Sequence, residues 1–250
     1  AELPEGSRMH LSTNMCAVHR REVLDEVRRR LSMGEPIHLA TTQLVEAGVD
    51  IDFPLVLRAL APLDRIVQAA GRCNREGKLD TGYVIVFDPV DGAMPPGIYQ
   101  TAAHTTNVVF ADEPQVDLNS PSTHRRFFEL LYPIANLDEH DIAGLRSRLA
   151  FEQVAHKYRL IPDATIPVAV PWGDGERLLD EIEARGELTR FDLRALQPYI
   201  VSMQPWEHAR AEADRLCRRL IEGIDLWRWE GGYDSELGIA VDVSETRIVT

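Results

Sequence analysis

Four short apolar runs punctuate the first 90 residues, at 9–11, 37–40, 55–60 and 82–87. Helical patterns fill two of the three gaps between them. From 19 to 31, Val23, Leu24, Val27 and Leu31 recur at helical spacing, with Arg20, Arg21, Arg28, Arg29 and Arg30 on the other faces and Gly34 as the stop. From 63 to 73, Ile66, Val67, Ala69 and Ala70 make a second helix starting at Asp64. The order strand, helix, strand, strand, helix, strand is the rhythm of a parallel α/β domain. Such sheets hold ligands beyond the carboxyl ends of their strands. Ser12-Thr13 and Thr41-Thr42 both fall just after a predicted strand. The run at 82–87, GYVIVF, reads as a buried strand closed by Asp88-Pro89.

The remainder reads as α+β. Residues 91–97 (DGAMPPG) form a turn-rich boundary. Residues 99–118 are ambiguous, 123–132 are helical, and 142–158 are one helix or a pair. A strand at 165–171 precedes a helix at 175–184 behind Asp174. Residues 194–203 fit helix and strand equally, and 206–221 are amphipathic. Residues 226–229 and 238–243 are expected to form a terminal strand pair around Gly231-Gly232. The predicted division is an α/β domain over 1–98, a linker with helices over 99–150 and a smaller α+β domain over 151–250.

Composition narrows the classes of function. With 27 basic and 40 acidic residues the net charge is −13, which argues against a general polyanion binder and confines any nucleic-acid contact to a local groove. No run of about 18 apolar residues occurs, so no membrane partner is expected. Three widely spaced cysteines (Cys16, Cys73, Cys217) without C-x-x-C spacing fit reduced thiols, a cytoplasmic location and no zinc site. The start, Ala-Glu-Leu-Pro, has neither Met nor an apolar leader, which suggests an excised piece.

The chemistry gathers between 41 and 77. Gln68-x-x-Gly71-Arg72-x-x-Arg75 places two guanidiniums one turn apart at a helix end. Planar, permanently charged forks suit the charge that spreads over a phosphoryl group in transfer; the bland alternative is two solvated surface arginines. Gly71 is expected to let the backbone approach a neighbour closely. Upstream, Thr42 can donate to a nucleic-acid phosphate. Gly48 permits a tight turn. Asp50 can accept from a ribose hydroxyl, hold an arginine, or simply cap a turn. Of the tryptophans, Trp172, Trp206, Trp227 and Trp229 read as core residues before base-stacking ones.

Ser12-Thr13, TTQLVEAGVD and QAAGRCNR resemble, in order, the fourth, fifth and sixth motifs of superfamily 2 helicases, and the longer strings LSTNMC with HRREVL, TQLVEAGVDIDFP and RALAPLDRIVQAAGRCNREG carry the likeness further. They resemble more narrowly the CRISPR-associated helicase–nuclease of type I interference systems. The resemblance is dense over 8–98 and looser beyond, where IPVAVPW and GYDSELGI are similar to that family's C-terminal region. It implies a second RecA-like motor domain, N-terminally incomplete, followed by a linker and a C-terminal domain. It implies Arg72 and Arg75 at the γ-phosphate, with Arg75 the better finger. Gly48, Asp50, Gln68 and Gly71 would lie at the ATP cleft, with Gln68 linking it to DNA. Ser12, Thr13 and Thr42 would lie near single-stranded DNA. ATP and Mg²⁺ would be bound mainly by a first motor domain, and a divalent metal by a nuclease domain. The implied partners are single-stranded DNA, the CRISPR RNA-guided surveillance complex and the remaining helicase and nuclease domains.

A motor also needs a phosphate loop and an Asp-Glu strand end for Mg²⁺, and the 250 residues contain neither. Gly71 to Leu79 imitates the loop with the wrong spacing and with Leu79 where a hydroxyl is required. Asp138-Glu139-His140-Asp141 imitates the acidic motif in the wrong place, and both read as surface loops. The chain alone is therefore expected to be inactive. Two other readings remain open: a non-catalytic DNA- or complex-binding module acting in trans, and a piece of a general superfamily 2 RNA helicase.

Overall fold

The structure, a computed structural model, describes residues 4, 6–46, 48–90, 94–112, 116–158 and 165–239. Contacts divide the chain into two units, 1–44 with 162–250, and 45–161. These units follow contact density and cut across the motif-based divisions at 98 and 150.

In the first unit, β1 (Arg8–Leu11) and β2 (His38–Thr41) pair in parallel with Leu11 opposite Thr41. The crossover that parallel pairing requires is α1 (Ala17–Met33). Gly34 ends α1 at φ 67°, a left-handed conformation that lets its N–H reach back to the last carbonyls. The arginines at 28–30 pair with acids of the same region, Arg28 with Asp25 and both Arg29 and Arg30 with Glu26. Those last two guanidiniums hold the Glu26 carboxyl down at about 2.

The same unit carries a four-stranded sheet in the order β6 (Ile200–Met203), β5 (Ile166–Ala169), β8 (Trp227–Trp229), β7 (Cys217–Arg219). β5 and β8 are parallel and the outer pairs antiparallel. One face packs Val168, Val201, Met203, Trp227 and Trp229 with Cys16 and Ile239. On the other, Ala169 meets Leu179 and Ile182 of α7 (Asp174–Arg185) and Leu196 of α8 (Arg190–Leu196). A Thr189–Asp192 capping box starts α8. Residues 194–203 are thus helix, then a 3₁₀ turn at Gln197–Tyr199, then strand, and 206–221 divide into α9 (Pro205–Ala213) and β7.

The expected terminal pair does not form. β8 pairs with β5 and β7, whereas β10 (Gly238–Ile239) pairs with β9 (Tyr233–Asp234). The Trp229 indole bends back to donate to the Gly232 carbonyl at 3.0 Å, so the double glycine serves as a seat for that ring. Residues 240–243 of that expectation lie outside the described residues.

In the second unit, β3 (Leu55–Ala59) and β4 (Tyr83–Phe87) pair in parallel across α2 (Leu63–Ala70). Residues 98–112 prove helical (α3, Ile98–Asp112), and α4 (Pro121–Leu131) packs Phe127 and Leu131 against Ala102, Val109 and Leu63. Residues 142–158 are a helix pair, α5 (Ile142–Ser147) and α6 (Phe151–Lys157). The acidic run at 138–141 is a cap: Asp138 accepts from the Ile142 and Ala143 amides, and Asp141 pairs with Arg148. β4 is not the buried strand expected. Tyr83, Ile85 and Phe87 alternate outward and are 64%, 50% and 45% exposed. Apolar residues at every position suggest cover on both faces, but a two-stranded pair leaves one face open among the described residues. Among the described residues of the first 98, β1 with β2 and β3 with β4 are each a two-stranded parallel sheet.

Candidate functional site

The chain from Val45 to Phe53 makes the floor of the site. Gly48 takes φ 73°, the left-handed turn that its lack of a side chain permits. Ile51 is buried and anchors the segment, while Asp50 is exposed. Phe53 then forms a parallel bridge with Cys73: its N–H donates to the Arg72 carbonyl and its carbonyl accepts from the Asn74 amide, both at 2.9 Å. This short bridge fixes the turn that carries both arginines past the end of α2.

The two guanidiniums have different partners. Arg72 donates from Nε to the Val45 carbonyl at 2.8 Å and from Nη2 to the Glu46 carbonyl at 3.0 Å. Burial and the neighbouring Arg75 charge lower its pKa, with Asp50 opposing. Arg75 lies in the open, with Nε donating to Asp50 Oδ1 at 2.9 Å. Its backbone amide donates to Asp52 Oδ1 at 2.6 Å. The left-handed Asn74 (φ 46°) closes the following loop by exchanging side-chain bonds with the Leu79 backbone. Lys78 of the false phosphate loop pairs with Glu76. Gly48, Val49, Asp50, Arg72 and Arg75 line an open cleft of about 250 Å³.

The structure thus brings Gly48, Asp50, Arg72 and Arg75 together. Gly71 adjoins them, its carbonyl 3.4 Å from Arg75 Nη1. Its expected close approach is absent: a Cβ there would meet the Gln68 and Val67 carbonyl oxygens at 3.4 and 3.6 Å, ordinary contacts. Gln68 is exposed on α2 and does not line the cleft. Ser12, Thr13 and Thr42 belong to the other unit, at the shared carboxyl end of β1 and β2, where the Thr42 amide donates to the Leu11 carbonyl at 3.2 Å. Thr13 and Thr42 are exposed; Ser12 is buried and its hydroxyl accepts from the Asn14 amide. Trp227 and Trp229 are core residues as expected and Trp172 stacks on His19, but Trp206 is 65% exposed. Two carboxylates escaped the sequence reading. Asp52 holds the Arg75 turn, and Glu46, buried, pairs with Arg58 and Arg65. Neither carries a local signal, because their partners lie 12 to 23 positions away.

Parallel strand pairs joined by helices, with two arginines beside a Gly-x-Asp turn, make this a mixed α/β protein. Residues 3–78 match the family described as CRISPR-associated nuclease/helicase Cas3, C-terminal. Over 74 residues, 28% of this chain, the sequence is 49% identical to the CRISPR-associated nuclease/helicase Cas3 of Haloferax volcanii, and covers 8% of that protein. Among solved structures, T. fusca Cas3 with AMPPNP matches at TM-score 0.56 and 16% identity, over 89% of this chain and 32% of that one. T. fusca Cas3 with ADP matches at 0.56 and 17%, over 90% and 34%. A chain of a CRISPR RNA-guided surveillance complex in a pre-nicking state matches at 0.53 and 16%, over 90% and 34%. The chain is therefore similar to the C-terminal portion of the Cas3 helicase–nucleases and spans about a third of the solved ones. The fold likeness extends well past residue 98, where the motif resemblance thins.

Proposed function

We propose that this chain is the C-terminal part of an ATP-dependent single-stranded-DNA translocase coupled to a nuclease in type I CRISPR interference. It supplies an arginine finger and part of a DNA path. In this reading residues 1–98 belong to a second RecA-like domain, 99–150 to a linker and 151–250 to an accessory domain. The observation that carries the reading is Arg75. It lines an open cleft with Gly48 and Asp50, and its side chain is held chiefly by one exposed carboxylate, which an incoming phosphate can replace. Such an exchange trades one charge-assisted bond for stronger ones as charge develops on the transferring group. Arg72 has a different task. Two of its donors are committed to the 45–46 carbonyls, so it holds the Gly48 turn against the arginine loop. Asp50, released from Arg75, accepts from the ribose.

ATP is the substrate, and the triphosphate with its Mg²⁺ falls to the first motor domain. Thr13 and Thr42, exposed at one strand end, donate to phosphates of single-stranded DNA, with Ser12 shaping the turn beneath them. The remaining helicase and nuclease domains and a CRISPR RNA-guided surveillance complex are the partners, in the cytoplasm.

Arg75→Ala in the full-length protein tests this. Loss of an arginine finger lowers ATP turnover by about a thousandfold or more, with single-stranded-DNA affinity unchanged. Arg75→Lys does not restore it, because an ammonium lacks the planar fork. Turnover within a few-fold of wild type in Arg75→Ala would overturn the assignment.

A further inference from the structure

Glu46 is the buried charge of this site, 5% exposed, and no step described above uses its side chain. Its two oxygens are divided between elements. Oε1 accepts from Arg58 of β3 at 2.8 Å and Oε2 from Arg65, in the first turn of α2, at 2.9 Å. The bond to Glu46 is the chief cause that raises the Arg65 pKa. The backbone of the same residue faces the other way: its carbonyl, with that of Val45, accepts from Arg72 just beyond the end of α2. Residues 45–46 therefore hold α2 at both ends, at its start through a carboxylate and past its finish through two carbonyls. The Phe53–Cys73 bridge then carries that placement to the Arg75 turn.

A buried ion pair of this sort adds little net stability over well-packed apolar groups. It does impose direction, since two forks on one carboxylate admit a narrow range of geometries. We propose that Glu46 is a positioning residue for ATP turnover: it sets α2 against the Gly48 turn so that Arg72 and Arg75 keep their register at the cleft. The inference rests on the reading of Arg75 as the group that meets the transferring phosphoryl. It gives Glu46 a contribution to kcat and none to nucleotide affinity, because its side chain lines no part of the cleft.

The test is steady-state ATP hydrolysis by the full-length protein with single-stranded DNA, with Glu46→Gln, Arg75→Ala and Arg72→Lys as variants. Glu46→Gln keeps the shape and removes the charge. It is expected to lower kcat about 10- to 100-fold, the range for a small misplacement of catalytic groups, with KM for ATP within about twofold. In the Arg72→Lys background, where the link to the 45–46 carbonyls is already broken, the same change is expected to cost less than about twofold. A cost that persists in full in that background shows a merely structural role and overturns the proposal. So does an unchanged kcat in Glu46→Gln while Arg75→Ala abolishes turnover. If Arg75→Ala itself retains turnover, it is the underlying reading that fails. Should Glu46→Gln not fold, Arg65→Gln, which cuts the same tie from its half-exposed side, is judged by the same two measurements.

Discussion

Gly238 takes φ 83°, and a Cβ there would overlap the Asn14 carbonyl oxygen, which accepts from the next amide, that of Ile239, at 2.9 Å. The glycine lets the chain near the C-terminal end of the described residues lie directly on the turn between β1 and α1. Gly238→Ala combines a strained φ with a backbone clash and is expected to destabilise by about 3 kcal/mol. Thermal melting should show this as a drop of roughly 10 °C, against no change for Gly232→Ala, whose Cβ would meet open space. At the same scale the nearness of Arg72 and Arg75 was legible in the sequence, because a three-residue spacing at a helix end brings two side chains to one place. The different partners of the two guanidiniums were not. Which guanidinium faces solvent depends on where the 45–46 carbonyls come to lie, and that is decided by residues far away in sequence. Glu46 and Asp52 were missed for the same reason, since a bond across 12 to 23 positions leaves no local pattern.

At the scale of elements, α1 is fastened to the C-terminal strands by a buried histidine. His19 Nε2 lies 3.0 Å from the Ser235 carbonyl, so it carries the proton, and Nδ1 accepts from the Tyr233 hydroxyl at 3.0 Å. That hydroxyl in turn accepts from the Cys16 amide at 3.0 Å, and the imidazole stacks on Trp172 with centroids 4.1 Å apart. Burial lowers the His19 pKa, against the Ser235 carbonyl and the charges of Glu22 and Asp234, which raise it. A histidine depressed in the folded state resists a proton that the unfolded chain accepts near 6.5. Its contribution is therefore complete above about pH 6.5 and lost as the pH falls through the folded value. Melting at about pH 8 and about pH 5.5 should show the wild type losing roughly 2–4 °C more than His19→Phe across that interval. Equal losses would exclude His19 as the source; His10, also lowered by burial, remains in both proteins. Elements like α1 and β1 were legible because their periodicity is local. β4 was misjudged because exposure is set by neighbours, and β8 because Trp227 and Trp229 fit a core sheet as well as a hairpin arm.

At the scale of the molecule, the proposed function has Arg75 meet a triphosphate that another domain must hold. The cleft at Arg75 is open, its lining has no phosphate loop, and the net charge of −13 repels polyanions at long range. An arginine finger acts by entering a site built on another domain, and its effect appears only when that site holds ATP in line for attack. The 250-residue chain by itself is accordingly expected to show no ATP hydrolysis above background, with or without single-stranded DNA. If the proposed function holds, mixing it with a domain that carries the phosphate loop and the Asp-Glu motif is expected to restore DNA-stimulated hydrolysis. That activity should disappear when the added chain carries Arg75→Ala. It should persist when the added chain carries Trp206→Ala, a control at an exposed residue far from the arginine loop in sequence. Hydrolysis by the chain alone would mean that a triphosphate site exists within these residues, and the arginines would then have to be reassigned to it. Restoration that survives Arg75→Ala would instead leave the chain as a docking module, acting through surfaces other than the cleft.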